Sequence, residues 1–217
     1  MGTFVKLTPS AYHAMMLHFG IDVSREMKGI LFSPPNTFVV TIIPLSSVNP
    51  DTNLTSIDAR CKELSRLAGT QLTVVGWYHS HVKKCLQPTE EDLDFQLKLQ
   101  ATIPHSVAVV ASFGGPSEDM MAKVTSLSAF RCSPEGKPIP VDCLVRPLLP
   151  SPSSSKYYEL ACCSLEDVLM AAQEYTLSQE TPKASVKLDS YILAPILANI
   201  HSMMKSLEVG ISRRNAV

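Results

Sequence analysis

The chain has little of what marks a secreted or membrane-spanning protein. Its N-terminus, MGTFVKLTPS, carries no signal-peptide core. No apolar run approaches the roughly 20 residues of a membrane span. Six cysteines are scattered irregularly, with Cys162 and Cys163 adjacent, and none stands in a C-x-x-C pair. Neither a cysteine-type zinc site nor a disulfide framework is therefore indicated, and reduced thiols in the cytoplasm or nucleus are the expectation. A formal net charge of -1 offers no electrostatic reason to expect a nucleic acid or an anionic membrane as partner.

What is present is apolar content. Hydrophobic residues make up 45% of the 217, enough for one domain of moderate size with an appended helical element. Phe4 to Leu7 reads as a short strand. Thr8-Pro9 then supplies an N-cap and a proline at the first helical position, opening a helix that Gly20 would end. His13 and His18 lie in that helix and read as surface or packing histidines. Lys28 to Ile43 reads as a hairpin turning at Pro34-Pro35-Asn36, with Phe38 to Ile43 as its second strand. After a looser segment from Ser46 to Asn53, Thr55 is a candidate N-cap for a helix with Ile57, Cys61, Leu64 and Ala68 on one face, stopped by Gly69.

The stretch from Leu72 to Asp92, LTVVGWYHSHVKKCLQPTEED, concentrates the chemistry. Its first half is rich in β-branched and aromatic residues and reads as a buried strand. That strand delivers His79 and His81, and alternate residues of an extended chain share a face, so both imidazoles can reach one point. Thr89 is a candidate N-cap with Asp92 three residues on, close to a capping box. Asp92 would then stand in the first turn of a helix able to fold over the strand end. Two imidazoles and a carboxylate are a normal donor set for a catalytic zinc, leaving the fourth tetrahedral position to water.

Beyond this stretch, a helix of about three turns runs to Pro104, followed by a buried strand from Ser106 to Phe113. A Gly/Pro loop, Gly114 to Asp119, leads to two further strands, Lys123 to Arg131 and Ile139 to Val145. Pro140 suggests that the last strand lies at an edge or starts late. Composition shifts at Pro147, and Pro150 to Ser155 reads as a linker. Leu165 to Leu177 and Ser190 to Val209 then show helical apolar stripes. Burial against the sheet and docking with a partner's helices both account for those stripes.

The order His-x-His, seven residues, a hydroxyl residue, two residues, Asp, together with GWYHSH, resembles the JAMM motif of MPN-domain metalloproteases. The resemblance implies an α/β (α+β) fold with a mixed central β-sheet flanked by helices and followed by C-terminal helices. It implies an MPN domain over 1–147, a Pro/Ser linker over 148–156 and a helical extension over 157–217 used for dimerisation or assembly. It also implies one Zn2+ held by His79, His81 and Asp92. Glu26, a few residues before the Gly-aliphatic strand Gly29-Ile30-Leu31, matches the family's general base. Thr89 stands where family members carry a serine that supports the tetrahedral intermediate, and Val82 stands where most eukaryotic members have proline. Cys85 is near in sequence but is not needed to complete the donor set.

Most eukaryotic members of that family are isopeptidases that remove ubiquitin or ubiquitin-like proteins. The runs ARCKELSRLAG and VVGWYHSH look most like the deubiquitinating subunit of BRISC-type complexes. Such a subunit cleaves lysine-63-linked polyubiquitin and becomes active beside an inactive MPN-domain partner, here through the C-terminal helices. The alternative is a catalytically weak or inactive MPN scaffold subunit of a ubiquitin-related complex. Scaffold members usually lose a histidine or the aspartate of the motif, and this sequence keeps all three.

Overall fold

The computed structural model describes residues 4–22, 24–35, 38–45, 54–82, 85–113, 124–146 and 154–178. Strand β1 (Phe4–Leu7) runs into helix α1 (Pro9–Gly20). The Thr8 hydroxyl accepts the Ala11 N–H, and Pro9 sits where a missing N–H costs nothing. The helix ends at Gly20, as expected, and Ile21 closes the last turn by donating its N–H to the His18 carbonyl. Buried contacts of Met15, His18 and Phe19 carry the helix to that point.

Strands β2 (Lys28–Ser33) and β3 (Thr41–Pro44) pair antiparallel as the expected hairpin. The second strand is shorter than Phe38 to Ile43, because Val39 is engaged elsewhere. Its N–H donates to the Lys6 carbonyl and its carbonyl accepts the Thr8 N–H. Helix α2 (Leu54–Ala68) begins one residue before Thr55, so that threonine lies inside the first turn and is not the cap. Gly69, at φ 64, ends the helix in the left-handed region that favours glycine.

The remaining strands are β4 (Thr73–His81), β5 (Val107–Phe113), β6 (Val124–Cys132) and β7 (Pro138–Val145), with α3 (Glu90–Thr102) between β4 and β5. All seven strands form one mixed sheet in the order β1-β7-β6-β5-β4-β2-β3. The β1–β7 and β4–β5 pairs are parallel and the rest antiparallel. The Val39 bridge to Leu7 joins the two outer strands, so the sheet curls on itself. This mixed α/β architecture is the expected fold class and is consistent with the MPN fold.

Strand β7 is interior, between β1 and β6, yet its prolines sit where one side is free. Residues 138–141 pair with β6, and pairing with β1 begins only at Asp142. Pro140 therefore removes no donor from the β1 ladder.

Apolar residues pack on both faces of the sheet. Leu7, Met15, Phe19, Leu31, Ile42 and Tyr78 form one cluster under α1. Phe32, Val40, Leu64, Trp77, Val110 and Phe130 form the other, on the α2 and α3 side. Helix α4 (Ser154–Ser178) serves both, through Val168 in the first cluster and Leu160 in the second. It starts inside the expected 148–156 linker and is longer than Leu165 to Leu177. Leu160 and Ala161, both buried, extend the stripe toward the N-terminus and explain the earlier start. Arg60 on α2 ties the two helices, pairing with Asp167 at 3.0 Å and with Glu63 at 2.6 Å. The loop 114–119, most of the linker and the Ser190 to Val209 stripe lie outside the described residues.

Candidate metal centre

The C-terminal end of β4 and the N-terminal turn of α3 build the site. Because strand residues alternate, Tyr78 and Ser80 point to one face, and Trp77, His79 and His81 to the other. Ser80 anchors the strand to the segment before β2: its hydroxyl accepts the Met27 N–H at 2.9 Å, and its own N–H donates to the Met27 carbonyl at 3.0 Å. Lys28 stands opposite His79 in that antiparallel pair. Continuing the same register places Glu26 opposite His81, on the face that carries both imidazoles. Glu26 is exposed, and its charge is felt at His81, where it helps raise the imidazole pKa.

Thr89 caps α3 in extended geometry, φ -79 and ψ 170. Its hydroxyl accepts the Asp92 N–H at 3.3 Å, and its own N–H donates to Asp92 Oδ2 at 2.7 Å. This reciprocal pair is a capping box with aspartate in place of the usual glutamate. It fixes the Asp92 carboxylate as well as the helix start. Oδ1 lies 3.3 Å from His79 Nε2, and Oδ2 lies 3.1 Å from His81 Nε2. The three donor atoms fall within 4.8 Å of one another, and all three residues are buried.

Protonation favours the donor forms in two of the three. Burial lowers the His79 pKa to about 3, so that imidazole is neutral. Burial opposes ionisation of Asp92, but the hydrogen bonds from His81 and Thr89 outweigh it, and the carboxyl falls to about 2. The Asp92 hydrogen bond raises the His81 pKa, so a proton competes with a cation there. His81 Nδ1 lies 2.7 Å from the Cys85 carbonyl, which can only accept, so Nδ1 carries hydrogen and Nε2 faces the cluster.

A cation fits this donor set. His79 Nε2 is buried and, despite its 3.3 Å approach to Asp92, makes no hydrogen bond among the described residues. An unsatisfied buried nitrogen is costly unless something else occupies its lone pair. Tetrahedral zinc with arms of about 2.0–2.1 Å needs donors about 3.3 Å apart; separate Asp92 oxygens already approach the two imidazoles that closely, while the full set, within 4.8 Å, would draw together around a cation. Two imidazole nitrogens and one carboxylate oxygen are a donor set for a divalent transition metal, and zinc is compatible with it. Cys85 is exposed and contributes its carbonyl to His81.

Three residues around the site carry signals that were legible only with the fold in hand. Ser80 is the spacer of the His-x-His motif. Trp77 stacks on His79, with ring centroids 4.8 Å apart and an interplanar angle of 14°. Gln96, one turn beyond Asp92, is buried and accepts the Trp77 indole N–H at 2.8 Å. In the sequence, Gln96 and Gln100 show only an i, i+4 spacing within a helix, which does not by itself tell a buried amide from a solvated one.

A curled α/β sheet with a His-His-Asp cluster at one strand end is the class of protein these features define. Residues 5–105 match the family model described as JAB1/Mov34/MPN/PAD-1 ubiquitin protease, and that match supports the MPN family. An uncharacterized protein of Caenorhabditis elegans, F37A4.5, is 28% identical over 155 residues, covering 68% of this chain and 46% of the relative. The chain thus spans just under half the length of that relative. Among solved structures, protein DSY2949 from Desulfitobacterium hafniense is similar at 18% identity with a TM-score of 0.49, over 69% of this chain and 98% of that one.

Proposed function

We propose that this domain is a zinc-dependent isopeptidase that removes ubiquitin or a ubiquitin-like protein. The observation that carries the reading is the convergence of His79, His81 and Asp92, with Glu26 opposite His81 in register but outside the donor set. Bound zinc would supply a Lewis acid for the scissile carbonyl and lower the pKa of a water toward neutrality. Glu26 then has a proton to handle: it accepts one from the attacking water and returns it to the leaving lysine amine. A C–O bond forms as the C–N bond breaks, giving a carboxylate and an amine. Thr89 accepts the Asp92 N–H with its oxygen, and its O–H can turn to donate to a developing oxyanion.

Lysine-63-linked polyubiquitin as substrate and an inactive MPN-domain partner as activator belong to the same proposal. They rest on the resemblance around ARCKELSRLAG and VVGWYHSH. One feature favours a second reading, a weak or inactive scaffold subunit: threonine and valine stand at 89 and 82, and Val82 is exposed beside the site. The test is zinc content and cleavage of lysine-63-linked diubiquitin by the full chain, alone and with its complex. We expect one zinc per chain and cleavage, and we expect Glu26→Gln to keep the zinc and lose the cleavage. Zinc with no cleavage in either setting would favour the scaffold. Normal turnover by Glu26→Gln would exclude that carboxylate as the base.

A further inference from the structure

Metal-binding histidines normally donate their second ring nitrogen to an acceptor that fixes the ring. His81 does so through the Cys85 carbonyl. His79 does not: its Nδ1 is buried and has no hydrogen-bond partner among the described residues. The ring is held instead by its flat stack on Trp77. The orientation of His79 therefore depends on what fixes the indole.

That support is Gln96, fully buried on α3. Its Oε1 accepts the Trp77 Nε1–H at 2.8 Å. Its Nε2 donates to the Ser106 carbonyl at 2.9 Å and to Gln100 Oε1 at 2.8 Å. Indole can only donate and a backbone carbonyl can only accept, so the amide has one workable orientation and all its stronger bonds are made. Gln100 continues the chain, exchanging two bonds with the backbone of Cys132 on β6, at 2.7 and 2.9 Å. Phe95 also packs edge-on against the indole, with centroids 4.6 Å apart. Gln96 also lies one turn from Asp92, so one side chain fixes the helix that carries the carboxylate and the ring that braces the imidazole.

We propose that Gln96 is a positioning residue of the metal centre, acting on His79 through Trp77 and on Asp92 through α3. The inference rests on the metal-binding reading above, but not on any substrate. Its test measures zinc affinity of the full chain by competition with a chromophoric chelator, and the visible spectrum of the cobalt-substituted protein. Thermal stability of the metal-free form is followed separately. The variants are Gln96→Met, which keeps volume and loses the amide, Trp77→Phe, which keeps a ring and loses the N–H, and the double variant.

Each single variant should weaken zinc binding on the order of tenfold or more and alter the cobalt bands. The double variant should be no weaker than Gln96→Met, because both changes break one linkage. A drop in thermal stability with zinc affinity and cobalt spectrum unchanged in both single variants would reduce Gln96 to a core amide and overturn the proposal. Additive losses in the double variant would overturn the route through Trp77. A wild-type protein that binds no zinc would overturn the metal reading itself, an outcome distinct from equal affinity in wild type and variants.

Discussion

Thr89 sits where two demands meet. As a cap it needs an acceptor for the Asp92 N–H, and its extended backbone already presents the hydroxyl. As a catalytic donor it would need only its remaining proton. Serine satisfies both; alanine satisfies neither. Thr89→Ala should therefore lower unfolding stability by about 1 kcal/mol and cut the proposed isopeptidase turnover on the order of a hundredfold. Thr89→Ser should leave stability within a few tenths of a kcal/mol and preserve turnover. Denaturant titration and steady-state kinetics on both variants separate the roles. Stability loss in the alanine variant with full turnover would leave Thr89 as a cap only.

Local chemistry explains which elements could be read from the chain. The N-caps at Thr8 and Thr89, the stop at Gly69 and the alternating histidines of β4 are set by interactions within a few residues, so the sequence carries them. The end of α1 at Gly20 belongs to the same group. Two features had no local signature. The Val39 bridge that curls the sheet pairs residues 32 positions apart. The buried role of Gln96 depends on an indole across from it on β4.

Helix α4 follows the same logic, since its early start is decided by what Leu160 touches. Leu160 is fully buried in the cluster that contains Trp77 and Leu64. Leu160→Ala should cost about 2–5 kcal/mol, read as a lower denaturant midpoint with an unchanged slope. A change well under 1 kcal/mol would make this first part of α4 peripheral to the fold.

The two faces of β4 divide the labour of the chain. One presents the donor set, and the other buries Tyr78 against α1, where His18 Nδ1 lies 3.0 Å from the phenolic oxygen. His18 is fully buried, and burial lowers its pKa from 6.5 to about 3. The folded state therefore holds His18 neutral over a range in which the unfolded chain protonates it. The unfolded state binds more protons there, so stability rises with pH through this window and is fully present above about 6.5. It is lost as pH falls toward 3, by up to about 1.4 kcal/mol per pH unit.

In metal-free protein His79 contributes with the same sign, because its pKa is depressed too. His81, raised by Asp92, contributes with the opposite sign. Comparing wild type with His18→Gln cancels both, since neither is altered. Denaturant unfolding of the metal-free proteins at several pH values between about 4.5 and 6.5 should give a shallower dependence for His18→Gln, by about one proton per molecule. Parallel curves would mean that His18 is protonated in the folded state as readily as in the unfolded one. The pairing with Tyr78 would then be solvated rather than sealed beneath α1.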